Sequence, residues 1–249
     1  MHKIINASKN NREKINIIAL GGSSAIMLGL LEKYSQEYNV KKITLIGRDL
    51  IKLNKVKKHL QVIKPSIKIY LSDIEFNDDC VKKHYETGYR NIFISAVGYY
   101  ELEENMTPLN LENSRWVNYL LPKTYLSSFW NNSQLNDQAI IISSVAGEVP
   151  RKSIQSYALA KRELNKFVLK NKSTNSKNFL VKPGPTDTVF TQKYNLKKVY
   201  PLALIVDSIY DQLRHGNKII YAPKNLKLVF FILKCLPKKI STTILEFNK

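Results

Sequence analysis

The chain has 249 residues, with 39 Lys and Arg against 20 Asp and Glu and a formal net charge of +19. That length suits one α/β domain with a substantial core, and no internal repeat, long linker or low-complexity block divides it. Cys80 and Cys235 lie far apart and the four histidines are scattered, which argues against a metal site or a disulfide framework and fits a reducing compartment; no apolar run is long enough to span a bilayer.

Residues Met1 to Lys14 are polar and basic, lack the apolar core of a secretion signal and are expected to form a frayed leader. Ile15-Asn-Ile-Ile-Ala-Leu reads as a short buried strand that enters a Gly/Ser turn and then a helix to about Tyr38. Ile43-Thr-Leu-Ile predicts a second strand, followed by a lysine-rich helix from near Leu50 to Val62. Ile67-Lys-Ile-Tyr-Leu predicts a third, followed by a helical segment to about Tyr85. Asn91-Ile-Phe-Ile-Ser predicts a fourth, then a loop and a long helix from about Leu111 to Trp130. Ala139 to Ser143 predicts the fifth, ahead of a helix carrying Tyr157; Phe179-Leu-Val-Lys and Lys218-Ile-Ile-Tyr-Ala predict the sixth and seventh. Strands alternating with helices argue for a doubly wound, mostly parallel, Rossmann-like sheet in a single domain over residues 15–222, followed by a tail over 223–249.

Two places in this frame carry chemistry. The first is Gly21-Gly-Ser-Ser-Ala-Ile-Met, a strand–glycine turn–helix that lets backbone N–H groups reach a pyrophosphate at a helix N-terminus; Gly21, Ser23, Ser24 and Ile26 are its candidates. After the second strand comes Gly47-Arg-Asp, where an acidic residue would hold the ribose 2′-hydroxyl of NAD. Gly47 cannot, whereas Arg48 offers a partner for the 2′-phosphate of NADP; the plain alternative is a solvated Arg48 with Asp49 capping the next helix. The second place pairs Tyr157 with Lys161, four apart on one helix face, opposite Ser144 at the end of the fifth strand. A tyrosine is too weak an acid unless nearby positive charge stabilises its phenolate. Lys161 supplies such charge, and Ser144 would fix a carbonyl oxygen. Taken singly, the three are also readable as helix surface, solvated charge and strand-end turn.

Ser144, Tyr157 and Lys161, with the glycine turn upstream, resemble the short-chain dehydrogenase/reductase family over about Ile15 to Ala222. The resemblance implies an NAD(P)-dependent oxidoreductase, with NADP(H) preferred to NAD(H) on the strength of Arg48. It implies a fourth catalytic position at Asn118 in Trp116-Val-Asn-Tyr-Leu-Leu-Pro. Pro122, four residues later, has no N–H and leaves the Asn118 carbonyl free of its helical bond, free to hold a water of the family's proton relay; a kink without function is the alternative. It further implies contacts from Asp73 to the adenine, from Lys161 to the nicotinamide ribose as well as its catalytic role, and from Gly98, Pro183, Gly184 and Thr188 around the nicotinamide end. A plain turn aspartate is the other reading of Asp73. The chain departs from the family at Ala25 and Met27, which replace two glycines of the turn, and at Ser95-Ala96, which replaces two asparagines. Met27 is expected to disturb packing near the dinucleotide.

The lysine excess would draw phosphates, nucleic acid or anionic lipid, yet the chain is also rich in Asn and Ile, as an AT-rich genome would make it, and no nucleic-acid module accompanies the charge. The position of the lysines is therefore more informative. In Pro223-Lys-Asn-Leu-Lys-Leu-Val-Phe-Phe-Ile-Leu-Lys-Cys-Leu-Pro, a helix would align Lys227, Lys234 and Lys238 beside a broad apolar face that includes Leu226, Val229, Phe230, Leu233 and Leu236. This reads either as an interfacial helix or as a core-packing or oligomer helix. The tail and the short segment from Val189 to Tyr200 resemble the branch holding the reductase component of decaprenylphosphoryl-ribose 2′-epimerase. That branch implies a keto-sugar on a phosphate or polyprenyl phosphate in bacterial surface-polysaccharide synthesis, a cytoplasmic enzyme peripheral to the inner membrane, and a homo-oligomer or an oxidase partner. The competing readings are a reductase of a free hydrophobic ketone and a dinucleotide-binding scaffold without turnover.

Overall fold

The computed structural model describes residues 13–171, 175–192, 196 and 198–246. The expected leader lies outside these residues apart from Glu13 and Lys14, as does the end of the tail at 247–249. Seven strands form one sheet: β1 (Ile15–Leu20), β2 (Val40–Ile46), β3 (Lys68–Ser72), β4 (Arg90–Ser95), β5 (Asp137–Ile142), β6 (Ser176–Pro183) and β7 (Ile219–Ala222). Their order is β3-β2-β1-β4-β5-β6-β7, and every pairing is parallel, so the expected sheet is present without an antiparallel strand.

The central strands β1, β4 and β5 are mostly apolar because both faces of the sheet are covered there. Ile17 and Ala19 point to the side packed by α1 (Ala25–Glu37), α2 (Leu50–Ile63) and α7 (Leu202–Arg214), among Leu30, Leu31, Leu53, Leu60, Ile205 and Ile209. Ile18 and Leu20 point to the other side, with Phe93 and Ile141, against Tyr125 and Phe129 of α4 (Leu121–Asn132) and Leu164 and Val168 of α5 (Gln155–Lys170). Helix α7 was not anticipated, although Ile205, Val206, Ile209, Tyr210 and Leu213 are buried at helical spacing.

Three predicted helices differ from those observed. The segment after β3 holds only a 3₁₀ turn at Lys82–His84. Its backbone donors are met by side chains instead: Tyr125 Oη accepts from Glu75 N–H (2.9 Å) and Ser128 Oγ from Val81 N–H (3.1 Å). Buried Asn91 accepts the N–H of Glu86 (3.0 Å) and donates to the Glu86 and Tyr89 carbonyls. The predicted helix from Leu111 to Trp130 starts earlier, as α3 (Pro108–Arg115), and runs wide through a π turn at Trp116–Leu120 before α4 begins. Pro122 stands in the first turn of α4, where its missing N–H removes one ordinary helical bond. The tail makes two helices, α8 (Leu226–Cys235) and α9 (Lys238–Glu246), separated at Leu236-Pro237.

Asp137, buried at the start of β5, gathers three of these fixings. It accepts from Asn91 N–H (2.7 Å), from Gln134 N–H (2.8 Å) and from the Tyr85 hydroxyl. Asp137→Ala strands two backbone donors and a phenol. Because an unmet buried donor costs about 1–3 kcal/mol, the urea midpoint is expected to fall by the equivalent of about 3 kcal/mol, with Asp137→Asn losing less.

Candidate active site

The carboxyl ends of the strands open into one cleft of about 1180 Å³. At one end, Gly21 turns the chain from β1 into α1 with φ +80°, and a Cβ there would stand 2.8 Å from the Ala96 carbonyl oxygen. Only glycine meets both conditions. Ser23, Ser24, Ala25 and Ile26 line the cleft beyond it. Ser24 caps α1 without spending its side chain on the cap, and the first turn carries no acidic residue. The N–H groups and positive dipole end of α1 therefore face the cleft, a setting that suits a phosphate. Met27 does not line the cleft: it is buried among Leu30, Leu31 and the strand residues, between helix and sheet. The turn has placed its side chain in the core.

Arg48 and Lys52 stand at the rim of the same end, with Asp73 nearby. Asp49 caps α2, accepting the Lys52 N–H (2.9 Å) and pairing with the Lys52 ammonium (3.2 Å), which leaves Arg48 as the exposed guanidinium. Lys52 is a second cation the sequence reading passed over; its place one turn into the helix after Arg48 was the available signal. Asp73 lines the cleft while its side chain accepts the N–H of Ile74 (2.7 Å), so turn formation and ligand contact coexist there.

At the chemical end, Ser144, Tyr157 and Lys161 come together as their spacing predicts, and all three line the cleft. Ser144 Oγ accepts the Ala146 N–H (3.1 Å), which orients it at the end of β5. Burial pushes the Tyr157 phenol up to about 12, against the downward pull of its hydrogen bond with Ser144. Lys161 is buried to 2%, donates to the Val97 carbonyl (3.0 Å) and lies 5.8 Å from the centre of the Tyr157 ring. Burial lowers its ammonium to about 7. Gly147 is the residue that the sequence reading missed. A Cβ there would meet Asn165 Nδ2 at 2.9 Å and Arg162 N at 3.0 Å, so helix α5 lies directly on the loop after Ser144.

Asn118 is held apart from this trio. It is fully buried in the π turn, accepts the Tyr99 N–H (3.1 Å) and donates to the Tyr99 carbonyl (2.7 Å) and the Ser114 carbonyl (2.9 Å). Its side chain thus fixes the loop after β4, and Trp116, Val117 and Leu121 line the cleft around it. With its side chain so engaged, the part of Asn118 that remains for the cleft is the backbone carbonyl, the group left without its helical bond by Pro122. Gly98, Pro183, Gly184 and Thr188 line the cleft as expected.

The far wall is apolar and was only partly foreseen. Tyr100 meets Tyr157 edge-on (5.4 Å) and Phe190 of α6 (Val189–Gln192) at 5.9 Å. Leu226, Val229 and Phe230 of α8 and Leu245 of α9 complete the lining with Val145 and Val149, while Arg151 and Lys198 add positive charge. The short segment from Val189 to Tyr200 contributes residues that include Val189, Phe190, Leu196 and Tyr200, its residues 193–195 and 197 lying outside the described ones. Helix α8 is docked by the buried Glu148 carboxylate, which binds Lys182 of β6 and Lys234 of α8 together.

No family model matches the chain, and no curated protein matches its sequence. Solved structures do. A 7β-hydroxysteroid dehydrogenase superposes over 96% of this chain and 99% of its own, with a TM-score of 0.74 at 15% identity. An angucycline C-6 ketoreductase with bound NADP covers 86% and 95%, at 0.67 and 16%. A short-chain type dehydrogenase/reductase from Mycobacterium ulcerans covers 85% and 88%, at 0.68 and 12%. The chain has the fold of these enzymes. Its glycine turn, free helix N-terminus and rim cations fit a phosphorylated dinucleotide, with Gly21, Ser23, Ser24 and Ile26 at the pyrophosphate and Arg48 at a 2′-phosphate. The Ser143 hydroxyl, buried in the cleft lining, has no hydrogen-bond partner among the described residues and is a further polar contact for a ligand.

Arg48→Ala is expected to weaken NADPH binding roughly tenfold or more while leaving NADH little changed, since a charge-assisted contact contributes about 1.5–3 kcal/mol; fluorescence titration with both nucleotides measures this. A second expectation concerns Lys161. Its folded-state value near 7 lies below the ordinary 10.5, so its buried charge costs stability in full below pH 7, and the cost fades as pH rises toward 10.5. Lys161→Met should therefore melt higher than the parent at pH 7, with the difference shrinking as pH is raised.

Proposed function

We propose that the chain is an NADP(H)-dependent carbonyl reductase acting on a bulky ketone. The observation that carries this reading is the convergence of Ser144, Tyr157 and Lys161 on a cleft whose other end is a phosphate-binding helix N-terminus with an arginine at its rim. The structural neighbours bound to NADP, and the ketoreductase among them, support it.

A bound NADPH would supply the hydride. The chain supplies the rest. Ser144 Oγ would hydrogen-bond the substrate carbonyl oxygen and fix it beside Tyr157 Oη. As negative charge develops on that oxygen, Tyr157 donates its proton. A phenol held near 12 is a poor donor at neutral pH, so the nearby ammonium of Lys161 must carry its charge when the proton moves. The Val97 carbonyl bonded to Lys161 Nζ (3.0 Å) favours that charged form. Helix α5 is set at its start by Glu103, whose carboxylate accepts the Ser156 N–H (2.5 Å), and this holds Tyr157 one residue further on.

The wall favours a substrate with an apolar body. Tyr100, Val149, Phe190, Leu226, Val229 and Phe230 offer shape and no hydrogen bonds from their side chains, apart from one phenol. A keto-sugar on a polyprenyl phosphate draws support from this wall through its lipid and from Arg151 and Lys198 through its phosphate, but the described far wall gives a sugar few side chains to recognise its hydroxyls. A free hydrophobic ketone needs none. An oxidase partner belongs to the sugar reading alone. The exposed thiol of Cys235 suits a reducing compartment such as the cytoplasm. A scaffold without turnover would not need a lysine buried beside a tyrosine, at a cost to stability.

Tyr157→Phe removes the proton donor and almost no contact area. NADPH-dependent reduction of a panel of bulky ketones is expected to fall by at least about a hundredfold, with NADPH affinity unchanged. Comparable turnover in the variant would refute the assignment.

A further inference from the structure

Helix α8 is apolar on both sides. Leu226, Phe230 and Leu233 face inward and are buried with Val145 and Val149. On the opposite side, Leu228, Phe231 and Ile232 are exposed at 64%, 66% and 51%. A helix apolar all round is ordinarily buried all round; here the outer half is bare. Helix α9 repeats the pattern, with Ile240 and Ile244 exposed and Ser241 buried. Around these apolar side chains the charge is of one sign. Lys227, Lys238 and Lys239 make no ion pair among the described residues, and Lys234 stays half exposed although it reaches Glu148.

We propose that the outer face of α8 and α9 docks onto an anionic lipid bilayer, with Leu228, Phe231, Ile232, Ile240 and Ile244 entering the interface and the lysines meeting the headgroups. The lysines select lipid over a second copy of the chain. Two copies joined through this face would bring their lysines together, and the one acidic residue on either helix, Glu246, is already bonded to Ser153. The net charge of +19 adds to the attraction of an anionic surface. The helices have 10 and 9 residues, and no helix among the described residues is long and apolar enough to cross a membrane, so they lie along its surface. Because the inner side of α8 lines the cleft, docking sets the cleft wall against the bilayer, where an apolar ketone partitions. That last step rests on the reductase reading; the docking itself does not.

The test is flotation of the full chain with vesicles of phosphatidylcholine and phosphatidylglycerol in equal parts, against phosphatidylcholine alone, alongside sedimentation velocity without lipid. Binding to the anionic vesicles only is expected, with release at about 1 M salt, where the Debye length falls to about 3 Å. Phe231→Ser combined with Ile232→Ser should cut binding roughly tenfold or more, with NADPH binding unchanged. Lys227→Glu with Lys238→Glu, which leaves the apolar face intact, should do the same. Equal binding to neutral vesicles, no binding to either, or a dimer that the serine replacements dissolve would each overturn the proposal. If the serine variant loses NADPH binding, it has misfolded and the glutamate variant decides.

Discussion

The separation between helix α5 and the loop after β5 is set by the missing side chain of Gly147. A Cβ at that point would stand 2.9 Å from the Asn165 amide nitrogen and 3.0 Å from the Arg162 backbone nitrogen, and no rotamer change relieves a clash with backbone. Arg162 closes the gap from the other side, donating to the Gly147 carbonyl (3.2 Å) and the Glu148 carbonyl (3.0 Å). Ser144 lies just upstream of this contact, and Tyr157 and Lys161 just before Arg162. The meeting of the three groups therefore depends on this backbone contact as well as on the hydrogen bond between Ser144 and Tyr157 and the approach of the Lys161 ammonium to the Tyr157 ring.

That arrangement has an energetic cost. Lys161 is enclosed with one carbonyl for a partner, and its ammonium is lowered accordingly. Groups so perturbed beside a cleft are more often found at sites of chemistry than in the supporting frame. The contrast within this chain is instructive. Lys182 is also buried and lowered, to about 8, but it faces the Glu148 carboxylate. It belongs to the frame, tying β6 to the loop that follows Ser144.

Much of this was legible from the residues. The strands β4 and β5 hold continuous apolar runs bounded by polar or turn residues, and β1 is broken only by buried Asn16, as double coverage demands, while the glycine turn and the tyrosine–lysine pair sit where their spacing put them. What was not legible depended on distant partners. The stretch after β3 contains enough polar and apolar residues to suggest a helix, and only the acceptors on Tyr125, Ser128 and Asn91, remote in sequence, let its backbone remain open. Met27 replaces a glycine of the turn motif, and only the placed helix shows its side chain packed into the core rather than lining the cleft. The role of the Asn118 side chain, which braces the loop at Tyr99, was not legible either, because Pro122 pointed only to its carbonyl. The tail showed its amphipathic character but hid which apolar residues faced inward, because Phe230 and Phe231 are equivalent until the helix is placed on Val145 and Val149.

Those two adjacent phenylalanines make α8 a shared wall, one ring against the interior of the cleft and the next against the surroundings. A rigid cylinder about 10 Å across transmits displacement from one side to the other. A shift of the helix as a whole would carry Leu226 and Phe230 with it and change the width available to a substrate. The Glu148 anchor at Lys234 ties this shared wall to the loop that follows Ser144.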